Sequence, residues 1–103
     1  MPTLTRRHRV PNEPTLVRLA SDLLTEETLR PVVRLLDKPG RQRLHLDLAG
    51  VRIPTAGGLG ALLGLHRRLR ARGGELALLN LHPWAYEVFA VTRLNKVLDV
   101  RGA

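Results

Sequence analysis

The sequence predicts an α/β fold built on a mostly parallel sheet, and three observations carry that prediction. Apolar residues alternate with polar ones over residues 43–48, which is the spacing of a strand with one buried face. They recur at Leu29, Val32, Val33 and Leu36, which is the spacing of a helix with one buried stripe. The two patterns then succeed one another along the chain, and strands alternating with helices build parallel sheets through right-handed crossovers. The chain has 103 residues, 44% of them apolar. That is one domain with one modest core.

The elements follow in order. Residues 1–14 are polar, basic and punctuated by proline, so this segment is expected to be mobile at its start. An edge strand is possible at residues 7–10, turned by Pro11-Asn12-Glu13-Pro14 into the next element. Residues 15–20 read as a strand. Residues 25–36 read as the first helix, with Thr25 as N-cap and Glu26-Glu27 in the first turn, where negative charge suits the helix dipole. Pro31 fits only if that helix starts near residue 28 or kinks there. In the strand at 43–48, Leu44, Leu46 and Leu48 face one way and Arg43, His45 and Asp47 the other. A second helix over residues 58–72 stops at Gly73-Gly74. Residues 75–81 are a further strand. Pro83 suits the first turn of a third helix running to Val91, and residues 96–100 read as a short last strand. On the third helix, Trp84, Val88 and Val91, joined by Phe89, are expected in the core, and Tyr86 at the surface.

Composition excludes several classes. The chain has no cysteine, so disulfides, zinc fingers and thiol catalysis are out. No apolar run approaches the roughly 18 residues of a membrane span. The basic N-terminus, with no apolar block after it, is not a secretory signal, and a cytoplasmic location is expected. The three aromatics, Trp84, Tyr86 and Phe89, sit together. A stacking platform for single-stranded nucleic acid needs them spread over a sheet. Net charge is +8, with Lys38 and Lys96 the only lysines. That favours acidic partners and keeps a basic nucleic-acid-binding domain open as a second reading. Its mark would be affinity that falls steeply with salt. No spacing of His and carboxylates suggests a metal site, and the glycines match neither GxGxxG nor GxxxxGK[ST]. No cofactor is expected. His45 and Asp47 share a strand face, but no nucleophile stands near them, so structural roles are favoured over a small hydrolase. The chain is read as a non-enzyme.

The segment with most to say is residues 47–60, DLAGVRIPTAGGLG. It resembles, without a gap, the signature of the STAS domain, the fold of bacterial anti-sigma factor antagonists, roughly D-L-s-g-v-d-f-[IM]-D-S-S-G-L-G. The resemblance continues through LLGLHRRLRARGGELALLNL and covers about residues 15–100, which gives a STAS domain at 15–103. It implies a STAS-like small mixed, mostly parallel sheet with helices packed on one face. It also implies a module that binds an anti-sigma factor or a related serine/threonine kinase. A STAS domain commonly ends in one more helix, which is expected to be missing here. Thr55-Ala56-Gly57 stand where the family has Asp-Ser-Ser, so its regulatory phosphoserine position falls on Ala56, which has no hydroxyl. Three outcomes follow: constitutive binding, a substitute phosphoacceptor at Thr55, or drift to another complex, as in stress-signalling and lipid-transport STAS domains. Self-association is open.

The site residues have two readings each. Thr55 is either an N-cap or that phosphoacceptor, since phosphate is stabilised at a helix N-terminus. A helical wheel puts Gly58, Leu62, Leu65 and Leu69 toward the sheet and Gly60, Gly64 and Ala71 on the opposite side. The small stripe is either a partner-docking face or a place where a neighbouring helix packs, or its glycines serve only the tight turn and the helix start. The resemblance puts partner binding at Pro54, Thr55, Ala56, Gly57, Gly58, Gly60, Gly64 and Arg67. His66, Arg67, Arg68, Arg70 and Arg72 near the helix end are read first as a solvated face complementing the helix dipole, with recognition of an acidic partner as the alternative.

Overall fold

Four parallel strands in the order β1-β3-β5-β6 form the sheet that carries every other element. The computed structural model describes residues 13–38 and 42–102. The expected edge strand at residues 7–10 and the mobile start lie outside them. Along the chain come β1 (Thr15–Arg18), β2 (Leu23–Leu24), α1 (Glu26–Leu35), β3 (Arg43–Asp47), β4 (Ile53–Pro54), α2 (Ala56–Ala71), β5 (Glu75–Leu81), α3 (Pro83–Val91), a 3-10 turn (Leu94–Lys96) and β6 (Asp99–Gly102). β1, β3, β5 and β6 each pair with the next in parallel. Each crossover therefore steps the same way across the sheet. Right-handed crossovers that step one way place their helices on one face.

Burial agrees with that layering. Leu44, Leu46, Leu76 and Leu78 are at most 3% exposed and meet Leu29, Val32, Leu62, Leu65, Leu69 and Phe89 from the helices in one core. Arg43, His45 and Asp47 point to the opposite, open face, where Arg43 Nη2 meets Glu75 Oε2 at 3.0 Å and His45 Nε2 meets the same oxygen at 3.3 Å. Cross-strand charge pairs of this kind make an open sheet face compatible with water.

Thr25 caps the first helix as expected; the accommodation of Pro31 and the start of the second helix differ from expectation. α1 starts at Glu26 and runs through Pro31. A capping box sets its start: Thr25 Oγ1 accepts from the Thr28 N–H at 3.1 Å and Thr28 Oγ1 accepts from the Thr25 N–H at 2.9 Å. With both ends of the first turn held, the missing Pro31 N–H leaves the helix continuous, and the ring is exposed. α2 starts at Ala56, two residues before the expected Gly58, because Thr55 caps it. It ends in a Schellman arrangement, with the Gly74 N–H on the Leu69 carbonyl at 2.7 Å and the Gly73 N–H on that of Arg70 at 3.0 Å. Gly73 takes φ +77°, which suits glycine.

Three corrections concern the rest. The last strand is Asp99–Gly102, not residues 96–100. Arg93 in a left-handed conformation turns the chain into Leu94–Lys96 first. On α3 the buried residues are Ala85 and Phe89, with Tyr86 partly buried against the core. Trp84 and Val91, expected inside, are 68% and 67% exposed. Finally, a second, two-stranded parallel sheet pairs Leu23 with Ile53 and Leu24 with Pro54.

Candidate functional site

The N-terminus of α2 is assembled from two chain segments, the end of β2 and the stretch that runs from β4 into the helix. Thr55 sits in extended backbone as N-cap. Its Oγ1 accepts from the Gly58 N–H at 3.1 Å and donates to the Leu24 carbonyl at 2.8 Å. Its own N–H donates to that same carbonyl at 3.0 Å. The Leu24 oxygen is thus the hub that ties β2 to the start of α2. Both hydrogen-bonding sides of the Thr55 hydroxyl are engaged, so phosphoryl transfer to it would have to break the bond to Leu24.

Gly58 belongs to this joint and not to an outer surface. It is buried, and a Cβ there would land on the Leu24 carbonyl. The expectation that Gly58 takes part in partner binding is corrected accordingly: only glycine lets α2 approach β2 this closely. The other expected residues stand differently. Ala56, Gly57, Gly60 and Arg67 are exposed, and Pro54, Thr55 and Gly64 are half-buried. A Cβ at Gly60 or Gly64 would meet nothing within 4 Å. Among the described residues no neighbouring helix covers that stripe, and its backbone is open to close approach.

The basic residues that follow are dispersed. Arg68 Nη2 lies 3.8 Å from Asp37 Oδ1, and Arg72 Nη1 donates to the Leu36 carbonyl, so both reach across to the end of α1. Arg67 and Arg70 are exposed. The other titratable groups singled out by the sequence do not assemble into a catalytic set. His45 faces Glu75, whereas Asp47 accepts from the Ala49 N–H at 3.0 Å and lies 3.5 Å from Arg18 Nε. The Ala49 bond above all, then Asn80 and Arg18, holds the Asp47 carboxyl below its ordinary value despite some desolvation. His82 caps α3, its Nδ1 accepting from the Trp84 N–H at 3.2 Å. Among the described residues no three His, Cys, Asp or Glu side chains gather as metal ligands, and no helix is long and apolar enough to cross a membrane.

The sequence reading missed three exposed apolar side chains at this end of the sheet. Leu23, Ile53 and Trp84 are exposed by 40, 55 and 68%. Two-residue strands leave no periodic signal, and a helix as apolar as α3 hides which side faces out.

The family model described as "Mlab, STAS domain" matches residues 7–99. The chain belongs to the STAS family. Among curated proteins, it is 30% identical over 59 residues to the anti-sigma-B factor antagonists of Listeria monocytogenes and Listeria innocua, which covers 57% of this chain and 52% of each relative. The chain therefore aligns with about half the length of the curated relatives it matches. The crystal structure of a proposed anti-sigma factor antagonist from Thermotoga maritima superposes with a TM-score of 0.69 at 17% identity, covering 93% of this chain and 88% of that one. At that identity the likeness speaks for the fold, and it matches the parallel sheet with three helices described above.

Proposed function

We propose that this STAS domain is a non-enzymatic, cytoplasmic regulator of the anti-sigma factor antagonist type. It would dock an anti-sigma factor, or a serine/threonine kinase of that regulatory class, through the exposed start and outer stripe of α2. The observation that carries the reading is the state of that surface. Ala56 and Gly57 are exposed at a capped helix start, and Gly60 and Gly64 leave open backbone beyond it. A flat, small-residue surface lets a partner come close to the helix axis. The likeness to the Listeria antagonists supports the same class of partner.

The usual control would be absent. In the resembling family, phosphoserine adds close to two negative charges at the docking helix and blocks the contact. Here Ala56 offers no hydroxyl, and Thr55 holds the joint to Leu24. The protein then binds constitutively. A second reading, a scaffold subunit in another assembly, is favoured by the family model, whose description is Mlab rather than an antagonist.

Affinity capture of the tagged protein from its native cells at moderate salt tests the choice, with mass spectrometry of bound proteins and of the Thr55 peptide. An anti-sigma or kinase-type partner with Thr55 unmodified is the expected result. The same partner with phosphate on Thr55 would sink constitutive binding. A transport complex would favour the scaffold, and nucleic acid alone would overturn both. Gly60→Trp should reduce capture of the partner about tenfold or more, because the ring closes the approach to the open stripe of α2.

A further inference from the structure

Leu23 and Ile53 are register partners in the parallel β2–β4 pair, so their side chains leave the same side of it, and both are exposed. The Asp22 carbonyl fixes this strip by accepting the N–H groups of Arg52 and Ile53 at 2.9 and 3.0 Å. β4 also packs against α3. α3 begins just after the C-terminal end of β5, as α2 begins just after β4. Trp84, the second residue of α3, therefore stands at the same end of the sheet as Leu23, Ile53 and the Thr55 joint. The Trp84 ring packs at 66° to the His82 ring, centroids 5.4 Å apart, and stays 68% exposed. A large ring held outside the core is a typical anchor of a protein–protein contact.

The charge around this strip is not that of the whole chain. Asp22 precedes Leu23, Glu26 and Glu27 stand in the first turn of α1, and Glu87 is one turn beyond Trp84; all four are exposed, with Arg52 and Arg30 as exposed cations beside them. Arg34, Arg68, Arg70 and Arg72 lie at the C-terminal ends of α1 and α2, at the opposite end of the sheet. A chain of net charge +8 thus turns an apolar, acid-rimmed end toward the site.

We propose that Leu23, Ile53 and Trp84 form the apolar centre of a docking surface that runs from the start of α2 to the start of α3. Its occupant is a protein partner with an apolar socket for Trp84 bordered by Lys or Arg. The proposal rests on the reading of this protein as a protein-binding module. It reverses the expectation from net charge, that the partner is acidic. Acidic side chains around an anchor steer a basic surface toward it and repel a phosphate backbone.

Photo-crosslinking in the native cells tests it, with Trp84→p-benzoylphenylalanine and Ile53→p-benzoylphenylalanine in the full chain. Val97, 54% exposed beyond the 3-10 turn, provides the control position. Positions 84 and 53 should crosslink to one protein, at apolar peptides flanked by Lys or Arg, and position 97 should not. With that partner purified, Trp84→Ala should raise Kd about 30-fold with an unchanged melting temperature. Glu26→Gln with Glu27→Gln should slow association at low salt and have little effect at high salt. Crosslinks to a second copy of this chain, to an acidic peptide, or equally from position 97 would overturn the surface. So would no crosslink at 84 and 53. The expected crosslinks onto a protein that is neither an anti-sigma factor nor a kinase would keep the surface and remove the antagonist reading. An anti-sigma partner captured with no contact at 84 or 53 would do the reverse.

Discussion

Four glycines in α2 look alike in the sequence, and the structure separates them. At Gly58 a methyl group would displace the Leu24 carbonyl, which also accepts from the Thr55 N–H and hydroxyl. Gly58→Ala should cost about 2 kcal/mol or more, since overpacking there strains backbone rather than a flexible side chain. At Gly60 and Gly64 the added methyl meets open space. Those two substitutions should each gain up to about 1 kcal/mol from helix propensity. Urea denaturation of the three variants checks the contrast, and three equal values would remove Leu24 from the account. Thr55→Ala should lose about 1 kcal/mol as a cap, and Thr55→Ser much less. The helical wheel makes Gly58 an inward residue and Gly60 and Gly64 outward ones before any coordinates. What it cannot supply is the Leu24 carbonyl, which arrives from 31 residues upstream in the pairing that also bonds Thr55.

At the scale of elements, legibility follows pattern length. β3, with strict alternation over five residues, and β5, a mostly apolar run of seven, appear where their patterns place them. α1 and α2 carry their buried stripes at Leu29, Val32 and at Leu62, Leu65, Leu69 as spaced. α3 is misread because nine residues with apolar side chains nearly all round fit more than one face. His82 and Pro83 fix its start, and Phe89 goes fully inside. Mutation separates the two faces cleanly. Phe89→Ala should cost about 3–5 kcal/mol through the cavity it leaves. Trp84→Ala should stay within about 0.5 kcal/mol of the parent, as an exposed position does. Thermal melts decide it. A large loss for Trp84→Ala would mean that the ring belongs to the core, and the docking role proposed for it would fall with that result.

For the molecule as a whole, the open sheet face couples stability to pH. Glu75 is held below its ordinary value of 4.5 chiefly by the hydrogen bond from Arg43, then by His45. Asp99 is held below 3.8 chiefly by Arg101, whose Nη2 is 2.8 Å away. Asp47 is held below 3.8 chiefly by the Ala49 N–H. In each case the folded carboxyl binds its proton less tightly than the unfolded one. The stabilisation is therefore complete above the unfolded values and is lost as pH falls through the folded ones. Protonation also weakens the pairing of Glu75 with Arg43 and of Asp99 with Arg101 on a chain already at +8, so self-repulsion grows in the same direction. The melting temperature should stay level from neutral pH to about pH 5 and fall below about pH 4.5. Glu75→Gln should lower the plateau slightly and make the acid decline shallower, since one proton-linked group is gone. The size will be modest, because the Glu75 and Asp99 side chains are 47% and 50% exposed and solvent screens their pairs. Added salt should shrink the difference between parent and variant further. A melting curve that is flat down to about pH 3, or the same acid slope in Glu75→Gln, would mean that these pairs do not hold the open face.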